Sequence, residues 1–456
     1  MQHLFILFFL ACLYGESAQA QDKQTPPAKW ELNEKVFTSL EEALKTPDKV
    51  IHLDLSNQNL DSISYKVGKF LHLRTLDVSN NELQQLPRNL SRLVALEEIS
   101  LSYNPTLDMQ GALYALKDLP NLKKLSYCHN NVRYLPTEIA LLTSLQSLYL
   151  QGNNFQQLPI EIVKLTALRE LYLQSNHLTH LPKEFTQLKN LQVLDLYFNQ
   201  LRELPENIGG LTKLKILNIS HNFLTDIPPS VIELGNIEIL SIGINPILNW
   251  RSVILSLLQL DKLKTLDIRR SDLRVFPREL TLLTQLEELY LAENELKELP
   301  AEFGNLTNLR VLSLSFNPLI DLPDNFKQLN MLEVLELSGV PKLDFKGFFH
   351  VLPNLVRLQK LDLSHNALRE IGVEVCALSS LSQLNLRNNQ LTNICASLAN
   401  MKNLERLDLA RNQLENMAQD LQQLSKLREL NLTNNKLSIE ERQRVQNALP
   451  KVAVNY

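Results

Sequence analysis

The strongest constraint on this chain is a beat. From Val50 onward the pattern L-x-x-L-x-L-x-x-N-x-L returns seventeen times, with first positions at 50, 73, 96, 122, 145, 168, 191, 214, 237, 263, 286, 309, 332, 358, 381, 404 and 427. Thirteen of the sixteen intervals are 23 residues and three are 26. Self-similarity at such a period marks an array in which each unit buries its apolar face against its neighbours, so that one core runs along the chain. A length of 456 residues therefore carries no count of separate globular domains.

Within a unit, positions four and six are apolar between polar neighbours, as Leu148 and Leu150 are around Tyr149, which is the alternation of a strand with one buried face. Position nine is Asn in fourteen of the seventeen units. A side-chain amide donates and accepts at once, so stacked asparagines can satisfy the backbone groups that a bend leaves open. Gln58, Ser271 and Val340 take that place in the remaining units, and local irregularity is expected there.

The repeating unit resembles that of leucine-rich-repeat proteins over roughly 400 residues. The LPxxI continuation at Leu135-Pro136, Leu158-Pro159, Leu181-Pro182, Leu204-Pro205 and Leu299-Pro300 is similar to the class first described in regulators of Ras-type GTPases and common in bacteria. The resemblance implies an α/β fold: a horseshoe solenoid with a parallel β-sheet on the concave side and mixed loops, 3-10 turns and short helices on the convex side. Strands stack at about 4.8 Å, whereas helices need about 8 to 10 Å, which puts the sheet inside the bend.

The three long units begin at 96, 237 and 332. They replace LPxxI with LDMQGALYALKDL, LNWRSVILSLLQL and LDFKGFFHVL, where Asp108, Asn249 and Asp344 are suitable N-caps for helices that the added residues make room for.

The ends read differently. Residues 1–20 combine an apolar run, Leu4 to Leu13, with Ala18-Gln19-Ala20, a small-x-small site, and are read as a signal peptide cleaved before Gln21. The run is too short to span a membrane, which takes about 20 apolar residues. Phe9-Leu10-Ala11-Cys12 resembles a lipobox, which would anchor lipid on Cys12, although Phe9 is an unusual leading residue. Residues 21–49 form a linker and a helical cap, with Thr38 or Ser39 and Glu41 or Glu42 as a capping box. The array occupies 50–437, and 438–456 form a C-terminal cap of a helix and a last strand.

Cleavage would leave 46 basic against 49 acidic side chains, a near-neutral surface that excludes a dedicated nucleic-acid face. It would also leave Cys128, Cys376 and Cys395, an odd number. Cys376 and Cys395 occupy different positions of neighbouring units and are expected to be unbridged small hydrophobes. Extracellular animal and plant members of the resembled family often flank the array with paired cysteines; their absence favours a bacterial exported protein.

Positions two, three, five, seven and eight should face the concave solvent side, so partner specificity is expected there. These columns hold Tyr103, His129, Tyr149, Tyr172, Tyr197, Phe198, His221, Arg269, Arg270, Tyr290 and Phe316, rich in the aromatic and Arg types that dominate binding hot spots. Tyr149, Tyr172 and Tyr290, all at position five, are equally explained by packing between strands. Arg269 and Arg270 could clamp a carboxylate or phosphate, or pair internally with Asp267, Asp272 and Glu293. His129, His221 and His365 share position eight but lie four or more units apart, too far to share one metal ion.

No cofactor, catalytic constellation or appended enzymatic domain is expected. The reading is of a non-enzymatic, exported, monomeric protein that binds a protein or glycan partner through its concave sheet. Two alternatives stay open, an intracellular signalling scaffold of the small-GTPase-regulator type and a surface adhesin or spacer.

Overall fold

The computed structural model describes residues 35–456; the expected signal peptide, Cys12 and the linker through residue 34 lie outside the described residues. Two compact units are distinguished, the first ending at Val132 and including Leu141–Leu150, the second comprising Arg133–Ala140 and Gln151–Tyr456.

In the first unit, strands β1 (Val36–Phe37), β2 (His52–Asp54), β3 (Thr75–Asp77), β4 (Glu98–Ser100), β5 (Lys124–Ser126) and β6 (Ser147–Tyr149) pair in succession, all parallel. The helix α1 (Leu40–Ala43) precedes the array, and the Ser39 side chain accepts from the Glu42 N–H as the capping pattern requires. In the second unit each strand from β7 (Glu170–Tyr172) to β19 (Ala453–Asn455) pairs in parallel with the next. One repeat supplies one three-residue strand, and the LPxxI segment after it winds into a 3-10 turn, as at Lys183–Gln187 after Leu181-Pro182. Leu191, Leu194, Leu196 and Leu201 of a single repeat are all fully buried.

The asparagine at position nine works as anticipated. Asn199 donates through Nδ2 to the carbonyls of Leu173 and Leu196 at 3.0 and 3.1 Å, and its Oδ1 accepts from the Leu178 N–H at 3.0 Å. One amide thus serves its own repeat and the one before. Asn222, Asn245, Asn294 and Asn317 repeat the arrangement. Where Ser271 replaces it, the hydroxyl turns back on the Arg269 carbonyl, and an additional left-handed residue, Asp272, follows. Asn59 does the same after Gln58, but so do Asn131 and Ala367 after asparagines, and no left-handed residue follows Val340, so the extra turn is not tied to the exchange at position nine.

The three long repeats contain the expected helices, α2 (Met109–Leu116), α3 (Trp250–Leu257) and α4 (Phe345–Val351). Asp108 caps α2 by accepting from the N–H groups of Gln110 and Gly111, and Asp344 caps α4 through Lys346; Asn249 sits at the N-cap of α3 without such a bond. Strand pairing passes these insertions without a slip: Glu98 is opposite Lys124, Ile239 opposite Thr265 and Val334 opposite Lys360.

One expectation is corrected. Cys376 and Cys395 form a disulfide, with Cα atoms 6.6 Å apart. Cys376 ends the short helix α5 (Val373–Cys376), and Cys395 is the N-cap of the 3-10 turn Ala396–Asn400. The end of one turn packs on the start of the next, so residues at unlike repeat positions become neighbours. Cys128 is buried and takes no part in a disulfide.

A candidate binding surface on the exposed sheet face

A second regularity appears in the backbone at position eight. Every repeat turns there through the left-handed region, with φ of 54° at Phe198, 57° at His221, 56° at Ile244, 48° at Arg270 and 55° at Phe316, and likewise at Tyr103 and His129 in the first unit. The stack enforces it: the Phe198 N–H donates to the Ser220 carbonyl, His221 to Gly243 and Ile244 to Arg269, each in the following repeat. Glycine and asparagine adopt this conformation at low cost, and the chain uses Asn57, Asn80, Asn388, Asn434, Gly152 and Gly339 in that place. A bulky or β-branched residue there is costlier by about 1 kcal/mol or more.

Phe198 and Phe316 nevertheless occupy it and leave 48% and 52% of their surface exposed. Phe198 stands edge-on to His221 at 4.3 Å between ring centroids, and Tyr197 lies 6.1 Å from Phe198 and 5.8 Å from His221. Burial lowers the His221 pKa, which favours the neutral ring in this cluster. Phe316 lies over Gly339, where a Cβ would strike its ring, and reaches toward His365 at 6.3 Å. In the first unit Tyr103 stacks on His129 at 4.6 Å, while Tyr149 is half-buried at the end of β6.

The remaining sequence candidates are already engaged. Tyr290 is 2% exposed and its hydroxyl donates to Glu288. Arg269 holds Asp267 with both ends of its fork, Nε to Oδ1 at 3.0 Å and Nη2 to Oδ2 at 2.9 Å, and lies over the Tyr290 ring at 5.7 Å. Burial works against its charge, but Asp267 outweighs that and holds the guanidinium pKa above its usual value. Arg270 pairs with Glu293 at 2.7 Å. Tyr172 is buried in β7, opposite Asp195.

Profiles of the leucine-rich repeat region match residues 100–199 and 161–271, and profiles of the leucine-rich repeat match 48–105, 261–319, 284–340 and 379–437. A two-copy repeat profile matches 356–400. A solved leucine-rich-repeat protein of Leptospira interrogans is 32% identical, covering 93% of this chain and all of its own, with a TM-score of 0.65. The chain belongs to the leucine-rich-repeat family. An internalin of Listeria monocytogenes shares the fold at 24% identity and a TM-score of 0.51, covering 75% of this chain and 88% of its own. Among curated proteins, the flightless-1 homolog of Caenorhabditis elegans is 30% identical over 105 residues, which is 23% of this chain and 8% of that protein. The repeat match therefore extends to a small part of that relative. Among the described residues of this leucine-rich-repeat protein, no helix is long and apolar enough to cross a membrane.

The residue-level reading missed Asp195. It occupies position five, where this leucine-rich-repeat protein also has Asp267, Asp362 and Asp408, and nothing in its type distinguishes it. Its surroundings do. Asp195 is 8% exposed, and burial, only partly offset by the Tyr197 N–H, pushes its pKa up to about 7. A faint signal was available in the sequence: position seven, which is Arg after Asp267, is Tyr after Asp195.

Proposed function

We propose that this is a non-enzymatic, exported leucine-rich-repeat protein that binds a protein partner through the exposed sheet face of its second unit. The observation that carries the reading is the placement of Tyr197, Phe198, His221 and Phe316. Phe198 and Phe316 stand about half-exposed, and they and His221 sit on a left-handed backbone that asparagine or glycine would tolerate better. Fold stability alone gives no reason for that choice, whereas exposed aromatic groups on a rigid scaffold are what a binding hot spot requires.

Export is supported by the disulfide, because such bonds persist in oxidising compartments and are rare in the cytosol. The same bond disfavours the intracellular scaffold. The short apolar N-terminal run and its small-x-small site are consistent with the same route. The test is the affinity of the isolated partner for the Tyr197→Ala/Phe198→Ala variant. We expect a loss of about 2 kcal/mol or more with the fold intact, and unchanged affinity would rule out this face.

A further inference from the structure

The four aspartates at position five in the second unit share one local bond. Oδ1 accepts the N–H two residues on, from Tyr197 to Asp195 at 2.9 Å, Arg269 to Asp267 at 3.1 Å, Ser364 to Asp362 at 2.8 Å and Ala410 to Asp408 at 2.8 Å. They differ at the second oxygen. Asp267 receives Arg269 there at 2.9 Å, Asp362 receives the Asn385 amide at 3.0 Å and Asp408 the Asn431 amide at 3.1 Å. Asp195 receives no second donor among the described residues.

Its flanks have the same deficit. Neighbouring strands stand about 4.8 Å apart, so position seven of the repeats on either side of Tyr197 brings Gln174 and Ser220 alongside. Gln174 Oε1 and Ser220 Oγ are buried without a hydrogen-bond partner, and Ser220 is only 5% exposed. Three neighbouring side chains on this sheet face thus hold acceptor oxygens that no group among the described residues satisfies. Buried acceptors in that state are costly, and a carboxylate most of all.

The chain contains its own example of a satisfied version. At Asp267 the carboxylate is clasped by a guanidinium that lies over a tyrosine at position five of the adjoining strand, Tyr290, in register with Asp267. At Asp195 the carboxylate also has a position-five tyrosine in register on the adjoining strand, Tyr172, with Tyr197 and Phe198 close by. What differs is the cation: Tyr197 stands where Arg269 stands in the other repeat.

We infer that Asp195, together with Gln174, Ser220 and the rings of Tyr172 and Tyr197, forms a receptor for an arginine side chain of the protein partner. A guanidinium carries five N–H donors in a planar fork, enough to serve a carboxylate oxygen and its neighbours at once, and its faces stack on aromatic rings. The shift of the Asp195 pKa toward neutrality agrees with a carboxylate awaiting its counter-charge. The inference rests on the proposed binding face and adds the chemistry that the partner must present there.

The test uses the mature full chain at pH 8 and two capped tripeptides, acetyl-Gly-Arg-Gly-amide and its citrulline counterpart, which has nearly the same shape and no charge. Ligand-observed NMR is expected to show saturation transfer to the arginine side chain and at least tenfold weaker binding of citrulline. Asp195→Asn keeps the bond to the Tyr197 N–H, as Asn218 does for Ser220, and is expected to abolish the difference between the peptides. Tyr197→Arg, which supplies a guanidinium within the chain, is expected to block the arginine peptide while folding at least as stably as the parent. Equal binding of the two peptides, or an arginine preference that survives in folded Asp195→Asn, would overturn the inference. If a natural partner depends on Phe198 but binds Asp195→Asn unchanged, the arginine receptor is refuted and the binding face stands.

Discussion

Arg269 closes on Asp267 from two residues away, with both N–H bonds of the fork in place and Tyr290 beneath the guanidinium. The adjacent Arg270 makes an ion pair of similar length with Glu293, but both of those side chains are substantially exposed. The two pairs should differ in energetic weight. Arg269→Ala leaves a buried carboxylate without its counter-charge and is expected to lower stability by about 3 kcal/mol. Arg270→Ala is expected to cost about 0.5 kcal/mol. Denaturant unfolding of the two variants at neutral pH checks the contrast, and equal effects would contradict the burial argument.

Asp195 makes stability depend on pH. Its folded pKa of about 7 lies above the ordinary carboxylate value, so the folded state holds a proton that the unfolded state releases. Between about pH 4 and pH 7 that proton must be given up, and the native state loses stability as pH rises. The groups that face it are Tyr172 and Asn218, in register on the flanking strands, and Tyr197 with His221 beyond, an imidazole that burial keeps toward neutrality. Asp195→Asn is expected to become the more stable protein, by about 1–3 kcal/mol by pH 7 with little change above it. Parallel unfolding curves for variant and parent across this range would contradict the assignment.

Position eight gives a prediction of opposite sign to most substitutions. Ile244 is β-branched at φ 56° and Phe198 is aromatic at φ 54°, and asparagine fits that backbone better than either. Ile244→Asn and Phe198→Asn are expected to hold or raise stability by about 0.5–1 kcal/mol. Only Phe198→Asn should also weaken partner binding markedly. Thermal unfolding read beside affinity separates the two effects, and a destabilised Phe198→Asn would show that the ring serves the fold.

How much of this was legible in the sequence follows from what each feature depends on. Strand positions, the asparagine ladder and the helices after Asp108 and Asp344 rest on local pattern and period, and both are written in the chain. The disulfide is not, because Cys376 and Cys395 meet only through the offset between the end of one turn and the start of the next. The left-handed backbone at position eight is hidden by the variety of residues there, since hydrogen bonds to the next repeat impose it on Tyr, Phe, His, Ile and Arg alike. Asp195 is hidden for a similar reason: what sets it apart from Asp362 is whether a neighbour's amide reaches its second oxygen. The aromatic candidates were visible as a column, whereas the inward engagement of Tyr290 and Arg269 required geometry.

The disulfide also defines an expectation for the purified protein. Alkylation under denaturing, non-reducing conditions should label one thiol of a chain cleaved before Gln21, that of Cys128, and three after reduction. Cys376→Ser/Cys395→Ser is expected to lose about 2–3 kcal/mol of stability, the range for closing a loop of this length. Three alkylated thiols before reduction, in protein recovered from its own host, would remove the support that the bond gives to export.

The central claim, that the exposed sheet face of the second unit carries partner binding, is tested most directly by site-specific photo-crosslinking in the native host. A photoreactive residue in place of Phe198 is compared with one in place of Leu282, which is exposed on the 3-10 turn Arg278–Leu282 away from that face. We expect one discrete adduct from position 198, absent from position 282 and lost when Tyr197→Ala is added. The same adduct from both positions, or an adduct from 282 alone, would contradict the account.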